Sequence, residues 1–226
     1  MAFPHLQNPD LARDLDRLAR ARNTAAFGTG VNPGFVLDVL PVVVTSVMTE
    51  VRRVTLTRVV DATTRRGPLQ KKIGSGLTPE TFERLAHLGK IGHVGLVESV
   101  ALIAHCLNWP LDSISETLEP VVTREAIRTD HVCVQPGQVA GLHQVAEGLR
   151  NGDAVIRSDL VMRLNAHRPH DAMILEGTPT LNLSVSDGTA GDPATVAALL
   201  NAIPRVLHAP PGLLTAMDLV LPRACA

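Results

Sequence analysis

The chain has 226 residues, a net charge of −1, 45% hydrophobic residues and only 2% aromatic residues. This length and apolar content predict one globular domain spanning residues 1–226, with a sizeable core, and exclude a disordered chain. A nearly neutral charge and few aromatic stacking platforms argue against nucleic acid or acidic membranes as partners. We therefore expect the partner to be a small molecule.

Cysteine usage and the first residues of the chain predict a cytoplasmic protein. The three cysteines are widely spaced and form no Cys-x-x-Cys pair, which fits reduced thiols and predicts no structural zinc. Asp10 and Arg13 interrupt the region where a signal peptide would be apolar. No window approaches the roughly 18 uninterrupted apolar residues of a membrane span. We expect neither export nor membrane insertion.

The first half of the chain alternates between helical and strand patterns. Residues 10–23 have apolar side chains at helical spacing, and residues 24–27 are a short strand candidate. Residues 35–48 are almost wholly apolar, which indicates a buried helix, and residues 51–60 have the β-branched composition of a strand. Further helices are expected at residues 78–88 and 92–109.

The second half changes to the period of an antiparallel sheet. Asn151-Gly152 predicts a tight hairpin between two alternating segments, and a closing helix is expected at residues 193–207. The combination predicts an α+β fold, with a mixed, largely antiparallel sheet flanked by helices and without a complete Rossmann domain. The strand candidates are residues 113–122, 139–147, 155–164, 173–175 and 181–185.

A cationic stretch between a predicted strand and a predicted helix is the best candidate for a ligand site. Arg65, Arg66 and Lys72 lie close in sequence and repel one another unless an anion or carboxylates meet them. Ser75 lies in a Gly-Ser-Gly segment just before a helix, where backbone N–H groups can bind an anion. We expect these four residues to bind a carboxylate or phosphate on the substrate. The alternative is a solvated surface loop.

Three residues are candidates for acid–base catalysis. Asp61 ends a predicted strand beside the cations, and either it or Glu98 would act as the base. His93 would act as the acid, since histidine changes charge near neutral pH. The alternatives are structural: an ion pair of Asp61 with a neighbouring arginine, and local helix-start contacts for His93 and Glu98.

Two other motifs carry less weight. The glycines at 28, 30 and 34 resemble a dinucleotide fingerprint, but their spacing departs from Gly-x-Gly-x-x-Gly by one residue. We interpret them as permitting close backbone approach to something in a cleft. His167 and His170 lack a third ligand nearby in the sequence, so no metal site is predicted.

Several short segments occur together in this chain: GTGVNPGF at 28–35, VDATTRR at 60–66, LQKKIG at 69–74, GHVGLVESVA at 92–101 and LLNAIP at 199–204. As a set they resemble the dihydrodipicolinate-reductase-like family and, more narrowly, the C-terminal domain of 2,4-diaminopentanoate dehydrogenases. The resemblance covers nearly all of the chain.

The resemblance implies a substrate-binding and oligomerisation domain of a dehydrogenase, whose nicotinamide cofactor binds to a preceding Rossmann domain. It implies that residues 28–35 face the nicotinamide, and we expect Asn32 within them to contact substrate. The Rossmann fingerprint is missing from this sequence. Residues 1–30 are therefore interpreted as a remnant of the domain junction, and no cofactor is expected.

The functional prediction follows from that missing fingerprint. We predict a cofactor-independent enzyme of a specialised biosynthetic pathway, acting on a small anionic molecule by acid–base and positioning catalysis. The reaction would be a cyclisation, isomerisation or elimination. The alternatives are the substrate-binding subunit of a split NAD(P)-dependent dehydrogenase and a non-catalytic binding protein.

A homodimer is also expected. Without a nucleotide domain, nothing would cover Leu11, Leu18 and the strand at 24–27. Proteins usually cover exposed strand edges, so we expect another surface to pack here. A second apolar face, including Ile156, Leu160 and Met162, is expected on the sheet. A closed two-fold contact would hide both surfaces.

Overall fold

A computed structural model describes residues 2–219 of the chain. Its helices are α1 (Pro9–Ala21), α2 (Val39–Val44), α3 (Gly67–Lys72), α4 (Pro79–His87), α5 (Leu96–Cys106) and α6 (Gly191–Leu207), with short 3-10 turns at Thr45–Val47 and Ala216–Leu219. Its strands are β1 (Ala25–Phe27), β2 (Glu50–Asp61), β3 (Ser113–Val122), β4 (Ile127–Arg128), β5 (Cys133–Val134), β6 (Val139–Arg150), β7 (Asp153–Arg163), β8 (His170–Thr178), β9 (Leu181–Ser186) and β10 (Gly212–Leu214).

A six-stranded mixed sheet forms the centre of the molecule. Its strand order is β3-β6-β7-β2-β8-β9, and every neighbouring pair is antiparallel except β2 with β7. The hairpin between β6 and β7 turns through Asn151 (φ 54°) and Gly152 (φ 84°), the two positive φ values that a type I′ turn requires. The predicted α+β class and largely antiparallel sheet are confirmed.

One face of the sheet carries the hydrophobic core. Helix α5 packs against β6 and β7, and Ile156 and Leu160 of β7 are fully buried there. These two side chains are therefore covered by helices of the same chain, and they do not form the exposed face from which a dimer was argued. Leu11 and Leu18 of α1 are indeed exposed. The dimer itself stays a prediction.

A smaller unit lies beside the central sheet. Strands β1 and β10 pair in parallel as a two-stranded sheet, and α1 packs against both while α6 contacts β1. Helix α6 has no buried residue along its 17 residues. Its exposed apolar side chains are Val196, Leu199, Leu200, Ile203 and Leu207.

Three elements differ from the sequence prediction for local reasons. The apolar segment 35–48 begins with turns, because Asp38 caps a helix that starts only at Val39. Helix α5 starts at Leu96 rather than residue 92, because Gly95 precedes it with a φ of 122°, which is incompatible with a helix. The cationic stretch contains α3, where a loop was expected. None of the helices within residues 2–219 is long and apolar enough to cross a membrane.

Candidate functional site

Asp38 organises the Asn-Pro-Gly turn that precedes α2. Its Oδ2 accepts hydrogen bonds from Gly34 N at 2.7 Å and from Ser99 Oγ of α5 at 2.8 Å. Its Oδ1 accepts a bond from Val39 N at 2.6 Å. Burial of this carboxyl and the nearby charge of Glu98 raise its pKa, while the three hydrogen bonds oppose that shift. One fully buried carboxyl thus holds the turn, the start of α2 and helix α5 together.

The same turn is packed against the segment that carries His93. A Cβ added to Gly95 would lie 2.5 Å from the Pro33 ring, so the contact is possible only because residue 95 is glycine. Gly92 N donates to the carbonyl of Lys72 at 3.2 Å, which ties this segment to the end of α3. Both polar atoms of the Asn32 side chain are buried without a hydrogen-bond partner in residues 2–219. Asn32 is therefore a side chain with unused hydrogen-bonding capacity at this junction.

A cavity of about 490 Å³ opens beside this segment, and we call it the His93 cavity. Gln144 of β6 fixes its inner wall: Oε1 accepts from His93 N at 2.8 Å, and Nε2 donates to His93 O at 2.9 Å. The same Nε2 donates to Glu116 Oε1 of β3 at 2.8 Å. The charged and polar residues of the lining are Gln7, Lys72, His87, Lys90, His93, Glu116 and Gln144.

His93 is electrostatically unusual. Its Nε2 is buried and has no hydrogen-bond partner among the described residues. Burial, together with the positive charges of Lys72 and Arg58, lowers its pKa from 6.5 to about 4, and burial is the largest of the three causes. The imidazole is therefore neutral at neutral pH. A neutral ring can donate a hydrogen bond to a ligand or accept one from it. It carries no additional proton at neutral pH, so it does not suit the role of general acid that was assigned to it from the sequence.

We expect NMR titration of the His93 ring to give a midpoint near pH 4 rather than 6.5. Because the folded pKa lies below the unfolded value, the neutral ring's full contribution to stability is present above pH 6.5 and is lost as the pH falls towards 4. Replacing Lys72 with Met should raise the midpoint, since it removes one of the neighbouring positive charges. A wild-type midpoint near 6.5 would contradict this account of the cavity.

A second, smaller cavity of about 170 Å³ lies at the end of β2 and is lined by Asp61 and Arg65. Beside it, Arg58 and Asp171 form a buried ion pair, with Nη1 donating to Oδ2 at 3.1 Å. Arg58 Nη2 donates to Thr189 O at 2.8 Å, and Thr189 N donates to Asp171 Oδ2 at 2.7 Å. Burial lowers the pKa of Arg58, the nearby Asp171 raises it, and Arg65 lowers it. The ion pair clamps the loop before α6 onto the sheet.

The structure separates the three predicted catalytic residues. Asp61 Oδ1 accepts hydrogen bonds from Thr63 N at 3.0 Å and Thr63 Oγ1 at 2.6 Å. These local bonds are typical of an aspartate that stabilises a turn after a strand. It lines the smaller cavity, while His93 lines the larger one. Glu98 is buried in α5, and its Oε2 accepts a bond from Ala2 N at 3.1 Å. They do not share one cavity, so a concerted role for all three has no support in this geometry.

The predicted anion-binding residues are also dispersed. Arg65 and Arg66 pair with Asp192 at 3.1 and 3.4 Å, rather than with Asp61. Ser75 Oγ donates to Ala140 O at 3.2 Å. The N–H groups at 74, 75 and 76 all bond to carbonyls of the chain, so this segment offers no ready anion cradle. Lys72 alone of the four lies in the lining of the His93 cavity.

Four buried polar residues that build these sites were missed from the sequence: Asp38, Arg58, Gln144 and Asp171. Arg58 and Gln144 each lie two residues from a buried apolar residue of the same strand, Leu56 and Leu142, and therefore on the core face. A polar side chain on the core face of a strand is therefore the signal that could have found them. Asp38 followed by an apolar run is the usual pattern of a helix cap.

Two further observations concern metal ligands and the glycines of the turn. No group of three His, Cys, Asp or Glu side chains in residues 2–219 is arranged to hold a metal ion. In the turn at Gly28–Gly34, a Cβ at Gly34 would lie 2.5 Å from Gly30 N, so glycine at position 34 permits a close contact within the turn.

The comparisons with known proteins agree on a family of dehydrogenases. Residues 35–226 match the model of the 2,4-diaminopentanoate dehydrogenase C-terminal domain. The chain is 34% identical to 2,4-diaminopentanoate dehydrogenase of Acetoanaerobium sticklandii over 99% of its length and 65% of the relative's. It is 25% identical to an amine dehydrogenase of Streptomyces virginiae, over 86% of the chain and 60% of that protein.

A solved structure has the same fold. It is the amine dehydrogenase from Mycobacterium smegmatis, with a TM-score of 0.83 and 20% identity, and the match covers 100% of this chain and 67% of that one. The chain thus spans less than two thirds of the length of the two sequence relatives, 65% of one and 60% of the other.

These relatives correct the functional prediction. The two sequence relatives are named as dehydrogenases, so the predicted cofactor-independent cyclase, isomerase or lyase is wrong, and the alternative of a dehydrogenase component fits better. The resemblance to 2,4-diaminopentanoate dehydrogenases, by contrast, is confirmed. The chain belongs to the family of 2,4-diaminopentanoate dehydrogenase C-terminal domains.

Proposed function

We propose that this chain is the substrate-binding component of an NAD(P)-dependent oxidoreductase that acts on the amino group of a small molecule. Family membership over residues 35–226 carries the proposal, because the relatives are named as dehydrogenases of an amine or a diamino acid. The His93 cavity supports it with a preformed space of about 490 Å³ that has polar groups on its wall. The nicotinamide cofactor supplies the hydride acceptor, and a separate nucleotide-binding domain would bind it.

The residues of this chain would bind and orient the substrate. His93 is neutral at neutral pH, so it can hydrogen-bond an amino group without repelling an ammonium ion. Gln144 holds both backbone polar atoms of His93, so this residue lines the cavity from a fixed main chain. Such preorganisation reduces the cost of placing substrate for reaction.

The small unit of β1, β10, α1 and α6 is the surface we assign to the nucleotide-binding domain. Two parallel strands of three residues each are too few to be stable alone, and parallel sheets are normally covered on both faces. The outward stripe of α6 is apolar and 48–76% exposed. A neighbouring strand added to this sheet, with helices over that stripe, would bury both features.

Reconstitution tests the proposed function. The full chain would be mixed with, or fused to, the part of the Acetoanaerobium sticklandii relative that this chain does not match. We expect substrate-dependent formation of reduced nicotinamide with 2,4-diaminopentanoate or a simpler amine, measured by absorbance. Rejoining that part to the relative's own C-terminal domain is the control. An active control beside an inactive hybrid, with every amine tried, would contradict the proposal.

A further inference from the structure

The wall of the His93 cavity carries a carboxylate to which no role is attached. Glu116 lies on β3, the edge strand of the central sheet, and its side chain lines the cavity with His93. Within residues 2–219 its carboxylate forms no ion pair, and its hydrogen-bond partner is Gln144 Nε2 at 2.8 Å. The negative charge of Glu116 is thus held in place by a neutral amide and is not balanced by a cation.

Gln144 connects this carboxylate to the imidazole. It is 2% exposed, and its amide bonds to His93 N, to His93 O and to Glu116 Oε1. A side-chain amide with both ends occupied cannot rotate without breaking several bonds at once. The spacing of Glu116 from the His93 backbone is therefore set by one rigid residue.

The two groups in this arrangement have complementary requirements. His93 Nε2 is buried without a partner, and the ring is neutral, so it needs a hydrogen-bond donor or acceptor rather than a counter-charge. The Glu116 carboxylate accepts hydrogen bonds and attracts a cation. A primary ammonium group has three N–H donors and one positive charge, so its chemistry suits both a carboxylate and a neutral imidazole nitrogen.

We propose that Glu116 binds the ammonium group of the substrate in the His93 cavity, and that Gln144 positions the Glu116 carboxylate. This inference rests on the proposed function for the identity of the substrate, and it assigns the group that recognises the amine. Lys72 and Lys90 line the same cavity and suit a negative group elsewhere on the ligand. The site therefore favours a molecule that bears an ammonium group over its hydroxyl analogue.

Binding of 4-aminopentanoate and 4-hydroxypentanoate to the full chain tests this directly. The two probes differ in the ammonium group, and ring signals of His93 followed by NMR report on occupation of this cavity. We expect Glu116→Gln to weaken binding of the amino compound about five- to tenfold, a modest loss because Glu116 is an exposed residue of β3. The hydroxyl compound should bind wild type and variant equally, and Glu116→Asp should recover part of the lost affinity.

Glu119→Gln is the matched control. Glu119 lies on the same strand, but it lines a cavity on the opposite face of the sheet with His143. Binding of the amino compound should be unchanged in this variant. Equal loss in both variants, unchanged binding in Glu116→Gln, or no binding of the amino compound to wild type would each overturn the proposal. Because none of these measurements needs NAD(P), an inactive hybrid enzyme with intact ammonium selectivity would refute the proposed function alone.

Discussion

Replacing Asp171 with Ala should destabilise the protein by about 3–5 kcal/mol, the cost expected when one partner of a buried ion pair is removed. Arg58 is 2% and Asp171 3% exposed, and they lie directly opposite each other on β2 and β8. The substitution leaves the Arg58 guanidinium buried and uncompensated. It also removes the acceptor of Thr189 N. Urea unfolding, compared with wild type, measures the loss.

The same two strands offer a matched control for this experiment. Arg53 and Glu176 also pair across β2 and β8, at 3.9 Å, but their side chains are 48% and 45% exposed. Replacing Glu176 with Ala should change the unfolding free energy by less than about 0.5 kcal/mol, since exposed ion pairs contribute little. Similar losses in the two variants would show that the position in the sheet matters and that burial of the charge does not.

The Asp171 variant should also affect the loop before α6. Thr189 bonds to both members of the ion pair and lines the cavity of about 370 Å³ beneath α6. Loss of the clamp frees this loop from the sheet. We expect faster amide hydrogen exchange around residue 189, because local opening needs few other contacts to break. Unchanged exchange there would mean that other packing holds the loop.

Replacing Asp38 with Ala should cost about 2–4 kcal/mol and release the Asn-Pro-Gly turn. Three donors, Gly34 N, Val39 N and Ser99 Oγ, lose a common acceptor inside the protein. Buried donors without partners each cost about 1–3 kcal/mol, and partial rearrangement reduces the sum. Chemical unfolding gives the total, and hydrogen exchange at Gly34 reports on the turn.

Two other variants calibrate the Asp38 result. Ser99→Ala removes one donor and leaves the carboxyl with the two backbone bonds, so its loss should be smaller, about 1 kcal/mol. Asp14→Ala removes an exposed carboxylate of α1 whose ion-pair partner, Arg17, is also exposed, and should be nearly neutral. An Asp38 variant as stable as the Asp14 variant would rule out the organising role of this carboxyl.

Local patterns in the sequence were sufficient for most elements of the fold. The β-branched run at 51–60 becomes β2, and Asn151-Gly152 makes the hairpin because only residues that tolerate positive φ fit its turn. Thr78 caps α4, with Thr81 N donating to its hydroxyl at 3.3 Å. In each case the physical cause acts within a few residues, so a single sequence shows it.

Charge pattern, in contrast, was a poor guide to the site. The cations at 65–72 suggested one anion pocket, yet Arg65 and Arg66 pair with Asp192, which is more than 100 residues away, in the first turn of α6. The neighbouring backbone N–H groups bond within the chain. Sequence proximity of like charges shows that partners are needed, but it does not show whether those partners belong to a ligand or to the protein.

The sequence by itself determined the family, the α+β class and the positions of most strands and helices, because motifs and periodicity are local. Only the tertiary structure decided which polar groups meet. Arg58 and Asp171 are 113 residues apart, and Gln144 lies 51 residues from His93. Strand register places Arg58 opposite Asp171, whereas the packing of α5 against β6 brings the segment of His93 to Gln144. Burial in the folded chain lowers the pKa of His93 and keeps its ring neutral, and the fold places Gln144 where it bonds to both His93 and Glu116. Neither effect can be read from the spacing of residues in the sequence.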